Sequence, residues 1–174
     1  MSSVNEPKPA IVRPAQLADR QALHALVRAA AVFSPAEIDC ACEMIDSALD
    51  DAGPDGYWAL VAIHPTSGDV MAYVLYGRTL FTRAACDLYW LAAHPQHRRG
   101  GAARALIAAM EADLQTRGIE HIRAETSGTD GYSAARAFYA RCGYDNIARI
   151  PDFYKPGDAL YQYYKRLAVV AAAS

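Results

Sequence analysis

Apolar residues recur along this chain at helical spacing in some segments and in strand-like runs in others. A β-rich run at 10–13 predicts a short first strand, and the helical spacing that follows predicts a helix to about Phe33. Ser34, Pro35 and Glu37 then have the residue types of an N-cap, a first helical position and an acidic first turn. The pattern therefore predicts one strand and two helices at the start of the chain.

β-rich runs dominate the middle of the chain. The runs 57–64 and 70–76 are separated by turn residues, which predicts an antiparallel hairpin, and 86–93 predicts its third strand. Alternating segments complete the pattern: a helix at 102–117, a strand at 119–125, a helix at 132–141 and strands at 144–150 and 159–167. This order, β-α-α-β-β-β-α-β-α-β-β, predicts an α+β fold with a mixed sheet and one parallel step.

Length and composition indicate one domain. With 174 residues and 53% hydrophobic composition, the chain can bury one sizeable core. We expect a single domain at 10–167, preceded by a disordered arm at 1–9 and followed by a frayed tail at 168–174. The arm has no apolar stretch after a basic start, and no segment reaches the length of a membrane span. These features predict a cytoplasmic protein.

Charge and cysteine content disfavour several classes of function. The chain has 17 Lys and Arg against 19 Asp and Glu, a formal net charge of -2. That balance predicts no nucleic-acid partner and no anionic membrane partner. The four cysteines lie at 40, 42, 86 and 142, a spacing typical of neither a disulfide framework nor a metal site, so we expect them to be reduced. The sequence leaves the oligomeric state open, a homodimer included.

The segment before the helix at 102–117 has the composition of an anion-binding turn. Small residues let a phosphate approach the backbone, and nearby arginines can add charged hydrogen bonds. The small residues are Gly100, Gly101, Ala102 and Ala103, and the arginines are Arg98, Arg99 and Arg104. The lysine and hydroxyl residue of a P-loop are missing, and the glycine spacing does not fit a dinucleotide fingerprint. A tight strand-to-helix turn with exposed arginines is the simpler alternative.

Two blocks of the chain resemble the GNAT family of N-acetyltransferases. Residues 98–103, just after His94 and Pro95, are similar to the family's Arg/Gln-x-x-Gly-x-Gly/Ala motif. Residues 132–144 resemble its later Asn-x-x-Ala-x-x-Phe/Leu-Tyr-x-x-x-Gly-Phe/Tyr block, although Tyr132 stands where the asparagine usually is. The matching positions are Ala135, Phe138, Tyr139, Gly143 and Tyr144. The predicted element order is also the family's, so the resemblance covers nearly the whole chain and implies the acyl-coenzyme A N-acyltransferase fold.

The resemblance implies that acetyl-coenzyme A is the cofactor and that its pyrophosphate binds at residues 98–104. In such proteins a bulge splays the strand before the turn, and the backbone of Leu91, Ala92 and Ala93 would then bind the pantetheine arm and the thioester carbonyl. Tyr139 matches the tyrosine that protonates the coenzyme A thiolate in many relatives, and it would also contact the cofactor. The alternatives are a plain core strand and a core tyrosine that only hydrogen-bonds the cofactor.

Acetyl transfer to an amine also requires a group that takes a proton from the incoming ammonium. Glu125 is the preferred candidate, because it ends its predicted strand and precedes a polar turn that suggests an open rim. Asp87 and Tyr89 are alternatives on a flanking strand. A solvated carboxylate at a strand end is an equally simple interpretation of Glu125.

Aromatic and acidic residues near the splayed strand are candidates for acceptor binding, because aromatic faces with carboxylates suit a cationic amine. The candidates are Phe33, Asp87, Tyr89, Tyr132, Phe153 and Tyr154, with Trp90, Asp152 and Asp158 as further members. Residues 152–158 are predicted to form a shaped loop there. The sequence thus predicts acetylation of a primary amine on a small molecule by direct attack. A protein or peptide N-acetyltransferase and a non-catalytic acyl-coenzyme A-binding module are the alternatives.

Overall fold

A computed structural model of the chain describes residues 9–50, 56–98 and 100–168, and its elements follow the predicted order. The strands are β1 (Ile11–Pro14), β2 (Tyr57–Ile63), β3 (Val70–Arg78), β4 (Ala85–Ala93), β5 (His121–Ser127), β6 (Asp145–Lys155) and β7 (Asp158–Arg166). The α-helices are α1 (Arg20–Ala29), α2 (Pro35–Asp50), α3 (Ala102–Thr116) and α4 (Ser133–Arg141). Most of the predicted arm, most of the predicted tail and Arg99 lie outside the described residues.

The seven strands form one sheet in the order β1-β2-β3-β4-β5-β7-β6. Every neighbouring pair is antiparallel except β4 and β5, which are parallel because α3 crosses over between them. The predicted mixed α+β sheet with one parallel step is therefore confirmed.

The parallel pair β4 and β5 separates halfway along its length. The pairing runs from Ala85 opposite His121 to Leu88 opposite Ala124 and stops there, although both strands continue. On the other side of β4 the register with β3 shifts, so that Tyr89 is one extra residue in β4. A bulge of this kind bends its strand. It turns the second half of β4 away from β5 and leaves a wedge between them.

Helices cover both faces of the sheet, and each face has its own apolar core. On one face α1 and α2 contribute Leu23, Leu26 and Ile45. On the other face α3 contributes Leu106 and Met110, packed with residues from α4 and β7. The central strands β2 and β3 are covered on both sides, which explains why they are continuous apolar runs in the sequence.

The predicted boundary between the first two helices is partly correct. Ser34 and Glu37 form a capping box, in which the Ser34 Oγ accepts from the Glu37 N–H and the Glu37 carboxylate accepts from the Ser34 N–H. The first helix, however, ends at Ala29 and not near Phe33. The chain has to leave the helical conformation before an N-cap. Phe33 instead packs edge-on against Trp90, with ring centroids 5.0 Å apart.

The predicted shaped loop at 152–158 is wrong, because most of it belongs to the β6–β7 hairpin. The hairpin closes through a two-residue turn at Pro156 and Gly157, with Lys155 opposite Asp158 and Gly157 at φ +84°. The residues with a loop-like composition coincide with an irregularity in β6 between Ile150 and Lys155. There Asp152 has φ +53°, and its carboxylate accepts a hydrogen bond from the Gly157 N–H at 2.7 Å.

Candidate active site

The wedge between β4 and β5 is the floor of a cavity of about 1060 Å³. Its walls come from the connection between α1 and α2, from β4 around its bulge, from the end of β5, from α4 and from the β6–β7 hairpin. Elements that are far apart in the sequence therefore supply one continuous lining. Most of the predicted site residues either line this cavity or lie in the turn that precedes α3.

The turn before α3 has free backbone donors. Gly101 is the N-cap at φ +80°, and no side chain caps the helix there. The first helical hydrogen bond runs from the Ala105 N–H to the Gly101 carbonyl, so the N–H groups of the first turn, from Ala102 onward, have no partner within the helix. A Cβ on Gly101 would meet nothing within 4 Å, so the left-handed conformation, and not lack of space, favours glycine. The arrangement fits a diphosphate.

The predicted arginines Arg98 and Arg104 occupy different positions next to this turn. Arg98 is exposed and lines the cavity, which places a cation between the turn and the wedge. Arg104 is exposed on the first turn of α3. Arg99 lies outside the described residues. Arg98 is therefore the arginine that joins the turn to the cavity.

The second half of β4 has an edge without a strand partner. Leu91, Ala92 and Ala93 pair with β3 but not with β5, because they follow both the bulge and the last β4–β5 pair. Leu91 lines the cavity, Ala92 is buried toward α1 and α2, and Ala93 packs toward α3. Backbone groups on this edge are available to an extended ligand, which is the arrangement expected for a pantetheine arm.

Tyr139 lies in the wall of the cavity and is only 6% exposed. Its ring packs against Tyr144 and Tyr163, with centroids 5.7 and 5.2 Å away. Burial raises the pKa of its hydroxyl well above the ordinary value, and the neighbouring Cys142 and Tyr163 add smaller increases. The hydroxyl is therefore protonated at neutral pH, as a proton donor must be.

The three candidate bases differ in their partners. Asp87 is buried, and its carboxylate accepts from the Arg123 Nε at 2.7 Å, an interaction that raises the pKa of Arg123. Burial, with a smaller effect of Asp87, raises the pKa of Tyr89 to about 12. Glu125 is 40% exposed, accepts from the Gln162 amide at 3.1 Å and lies 3.9 Å from Arg123. Of the two carboxylates, Glu125 is thus the more exposed and the one farther from Arg123.

Tyr132 joins two distant parts of the cavity wall. Its hydroxyl donates to the Val32 carbonyl at 3.2 Å and lies 3.4 Å from a Glu37 carboxylate oxygen. Burial, and secondly the charge of Glu37, raises the pKa of Tyr132 to about 12. The contact connects the start of α4 to the α1–α2 connection and closes one side of the cavity.

Asp158 supports the loop that carries β5 into α4. It is 7% exposed, accepts from the Ser127 hydroxyl at 2.6 Å and from the Gly128 N–H at 3.2 Å, and lines the cavity. Arg136 secures the same loop from α4 by donating to the carbonyls of Ser127 and Thr129 at 2.6 and 2.9 Å. The position of α4, and with it Tyr139, therefore depends on these contacts.

A protein-family model matches the part of the chain that contains much of this lining. The model of the Acetyltransferase (GNAT) family matches residues 22–144, which include the turn before α3 and the helix that carries Tyr139. The chain belongs to the GNAT family. The proteins of this family are acetyl-coenzyme A-dependent acetyltransferases.

Solved structures agree with this assignment. A GNAT-family protein from Desulfovibrio desulfuricans is 32% identical, with a TM-score of 0.85 over 91% of this chain and 99% of that chain. An aminoglycoside 6'-N-acetyltransferase complexed with coenzyme A is 14% identical, with a TM-score of 0.72 over 91% of this chain and 97% of that one. The Escherichia coli ribosomal-protein-S18-alanine N-acetyltransferase is 17% identical, with a TM-score of 0.71 over 95% and 98%. The last two similarities show the shared fold alone. A comparison with curated proteins finds no match.

The cavity lining of this GNAT protein differs from the sequence expectation for acceptor binding at several positions. Phe33, Trp90, Tyr132, Tyr154 and Asp158 line the cavity, as do Asp87 and Tyr89. Phe153 and Asp152 do not line it: Phe153 is 54% exposed and packs edge-on against Tyr154. Glu37 was missed, because its position in the sequence indicates only a helix cap. Its second carboxylate oxygen faces Tyr132, and no sequence signal identifies that contact.

Three further observations concern the described part of the chain. No helix in the described part of the chain is long and apolar enough to cross a membrane. The same residues contain no group of three or more His, Cys, Asp and Glu side chains placed to hold a metal ion. All four cysteines are free thiols.

Proposed function

We propose that this GNAT protein transfers the acetyl group of acetyl-coenzyme A to a primary amine of a small molecule by direct attack. The observation that carries the proposal is the composition of one cavity. Backbone donors and Arg98 lie toward one end, the Tyr139 hydroxyl lies in the wall, and Glu125 lies on the opposite strand of the wedge. Groups of these kinds can bind a diphosphate, protonate a thiolate and deprotonate an ammonium.

The cofactor would bind along the turn and the free edge of β4. The N–H groups at the start of α3 and the arginines at 98, 99 and 104 would hold the pyrophosphate, with Gly100, Gly101 and Ala103 leaving room for it. The backbone of Leu91, Ala92 and Ala93 would hold the pantetheine arm and the thioester carbonyl. Bound acetyl-coenzyme A supplies the acetyl group as a thioester. Main-chain donors already fixed in place stabilise a developing oxyanion without reorganisation.

Two side chains would handle the protons. Glu125 would take a proton from the substrate ammonium, directly or through water, so that a neutral amine attacks the carbonyl. A C–N bond forms and the C–S bond breaks, and Tyr139 would donate its proton to the departing sulfur. The second proton of the attacking nitrogen would pass through water to the Tyr139 phenolate and restore the phenol, while Glu125 would release the first proton to solvent. Burial raises the pKa of the Tyr139 hydroxyl, but the same apolar surroundings would also raise the proton affinity of a thiolate. Proton transfer between them therefore stays accessible.

Two observations favour direct attack on a small acceptor. Among the described residues, the lining includes no cysteine and no histidine, so it offers neither a thiol nucleophile nor a histidine to activate a hydroxyl. The contact of Tyr132 with Val32 and Glu37 closes one side of the cavity, which favours a compact molecule over an extended chain.

An acceptor screen tests the proposal. The purified protein is incubated with acetyl-coenzyme A and panels of small amines, amino acids and peptides, and turnover is measured as release of free thiol. Acetylation of small amines, abolished or strongly reduced in Tyr139→Phe, is the expected result. Turnover restricted to peptides would favour the protein N-acetyltransferase alternative. Binding of acetyl-coenzyme A with no turnover on any panel would favour a non-catalytic binding module.

A further inference from the structure

The acceptor end of the cavity carries carboxylates that its own cations do not neutralise. Among the described residues, four carboxylates and three cations line the cavity: Glu37, Asp87, Glu125 and Asp158 against Arg98, Arg123 and Lys155. Two of the cations are already assigned. Arg123 binds Asp87 at 2.7 Å, and Arg98 adjoins the proposed pyrophosphate site. Glu125 also lies 3.9 Å from Arg123, whereas Glu37 and Asp158 have no arginine or lysine partner among the described residues.

The hydrogen bonds to Glu37, Glu125 and Asp158 come from neutral donors. Glu37 accepts from Ser34 and lies next to the Tyr132 hydroxyl, and Glu125 accepts from the Gln162 amide. Asp158 accepts from a hydroxyl and a backbone N–H in the loop before α4. Neutral donors stabilise a carboxylate in its ionised form without cancelling its charge. The hydrogen-bond partners of Glu37 and Asp158 therefore bring no positive charge to this end of the cavity.

The carboxylates converge on one part of the wall, next to Tyr154. Burial raises the pKa of the Tyr154 hydroxyl, and the charges of Glu125, Asp158 and Glu37 raise it further. All three line the same cavity as Tyr154, although they belong to α2, β5 and β7. Aromatic rings of Tyr132 and Tyr154 lie among them and line the same cavity. Carboxylates combined with aromatic faces favour a cation.

We propose that the acceptor is a diamine or polyamine, an amine that carries a second positive charge beyond the amine that is acetylated. The inference rests on the proposed function. The reacting nitrogen must be neutral when it attacks, so it cannot balance these carboxylates during transfer. A second ammonium at the end of an apolar chain keeps its charge and binds among Glu37, Asp158 and Tyr154, while the first nitrogen reaches Glu125.

The test compares two acceptors of equal chain length, 1,4-diaminobutane and butylamine. We expect kcat/KM for the diamine to be about tenfold higher or more at low salt, and the ratio to fall as salt rises. In Glu37→Gln the ratio should fall to a few-fold, because glutamine keeps the capping box but not the charge. The matched control is Glu43→Gln, an exposed position of α2 outside the cavity lining, which should leave the ratio unchanged.

A binding measurement separates failure of this inference from failure of the proposed function. Calorimetry on the protein saturated with coenzyme A compares the affinity of the same two amines without requiring turnover. Equal kcat/KM values for the two amines overturn the inference and leave the proposed function standing. Diamine-selective binding without turnover of any amine supports the site for a second ammonium and overturns the proposed function. No preference in binding and no turnover overturns both.

Discussion

The proposed cofactor end and the proposed acceptor end of the cavity are built by different means. The cofactor end comes from one continuous stretch, 91–104, and uses mainly backbone groups and small residues. The acceptor end combines side chains of the α1–α2 connection, β5, α4 and the β6–β7 hairpin. A local stretch that has to expose its backbone produces a recognisable motif, whereas side chains gathered from distant elements do not. For this reason the sequence identifies the family but not the acceptor.

The two ends also differ in charge. Free N–H groups at the start of a helix and nearby arginines favour an anion at one end. Carboxylates held by neutral donors favour a cation at the other. An anionic cofactor and a cationic acceptor would thus each be attracted to its own side of the wedge, with Tyr139 and Glu125 between them. The following predictions test this division.

The largest effect is expected at Tyr139, where the two ends meet. Tyr139→Phe should lower kcat by about a hundredfold or more, the range for loss of a positioned general acid, while acetyl-coenzyme A affinity changes little. The ring and its packing remain, so the free energy of unfolding should fall by less than about 1 kcal/mol. Steady-state kinetics and thermal melts measure both. The control is Tyr73→Phe. The buried hydroxyl of Tyr73 has no hydrogen-bond partner among the described residues, and Tyr73 lies in the other core. Full kcat in Tyr139→Phe would contradict the role of Tyr139 as proton donor.

At the cofactor end, Gly101→Asp and Gly101→Asn form a matched pair. Both residues tolerate the left-handed conformation better than other side chains, and they are nearly isosteric, so they differ mainly in charge. We expect Asp to weaken acetyl-coenzyme A binding about tenfold more than Asn, measured by calorimetry at low salt. Equal affinities of the two variants would mean that the diphosphate does not bind at this helix start.

At the acceptor end, Glu125→Gln should lower turnover about tenfold under acidic to neutral conditions. Below the pKa of the acceptor amine, the substrate arrives as an ammonium and a base has to take its proton. Above that pKa the free amine needs no base, so the difference between wild type and variant should shrink as pH rises. The pH–rate profile measures this, with Glu120→Gln, at the opposite end of β5 from the cavity, as the control. Parallel profiles at all pH values would exclude Glu125 as the base.

The smallest effect is expected in the loop that positions α4. A Cβ on Gly128 would lie 3.0 Å from the Ala159 carbonyl oxygen and 3.1 Å from the Tyr161 ring, closer than ordinary contacts. Gly128→Ala should lower the free energy of unfolding by about 1 kcal/mol, the lower end for an overpacked site. Gly131→Ala is the control in a thermal melt, because a Cβ there meets nothing within 4 Å. Equal melting temperatures for the two variants would show that the loop accommodates a methyl group at residue 128 without loss of stability.

The sequence predicted the element order, the mixed sheet and the family, because these depend on local patterns. The predicted N-cap at Ser34 was correct for the same reason, since the Glu37 N–H that it caps is only three positions away. The end of the first helix and the predicted loop at 152–158 were wrong, since tertiary contacts decided them. Phe33 turns toward Trp90 on β4, and pairing with β7 extends β6 to Lys155.

The sequence by itself determined where a backbone could bind a phosphate, because small residues before a helix have that property wherever the helix lies. The tertiary structure decided how wide the wedge is and which charges face it. The bulge at Tyr89 depends on pairing with β3, and Glu37 meets Tyr132 across 95 positions of sequence. Contacts over such separations are fixed by the packing of whole elements against the sheet. For that reason the acceptor's chemistry can be argued from the folded cavity but not from a motif.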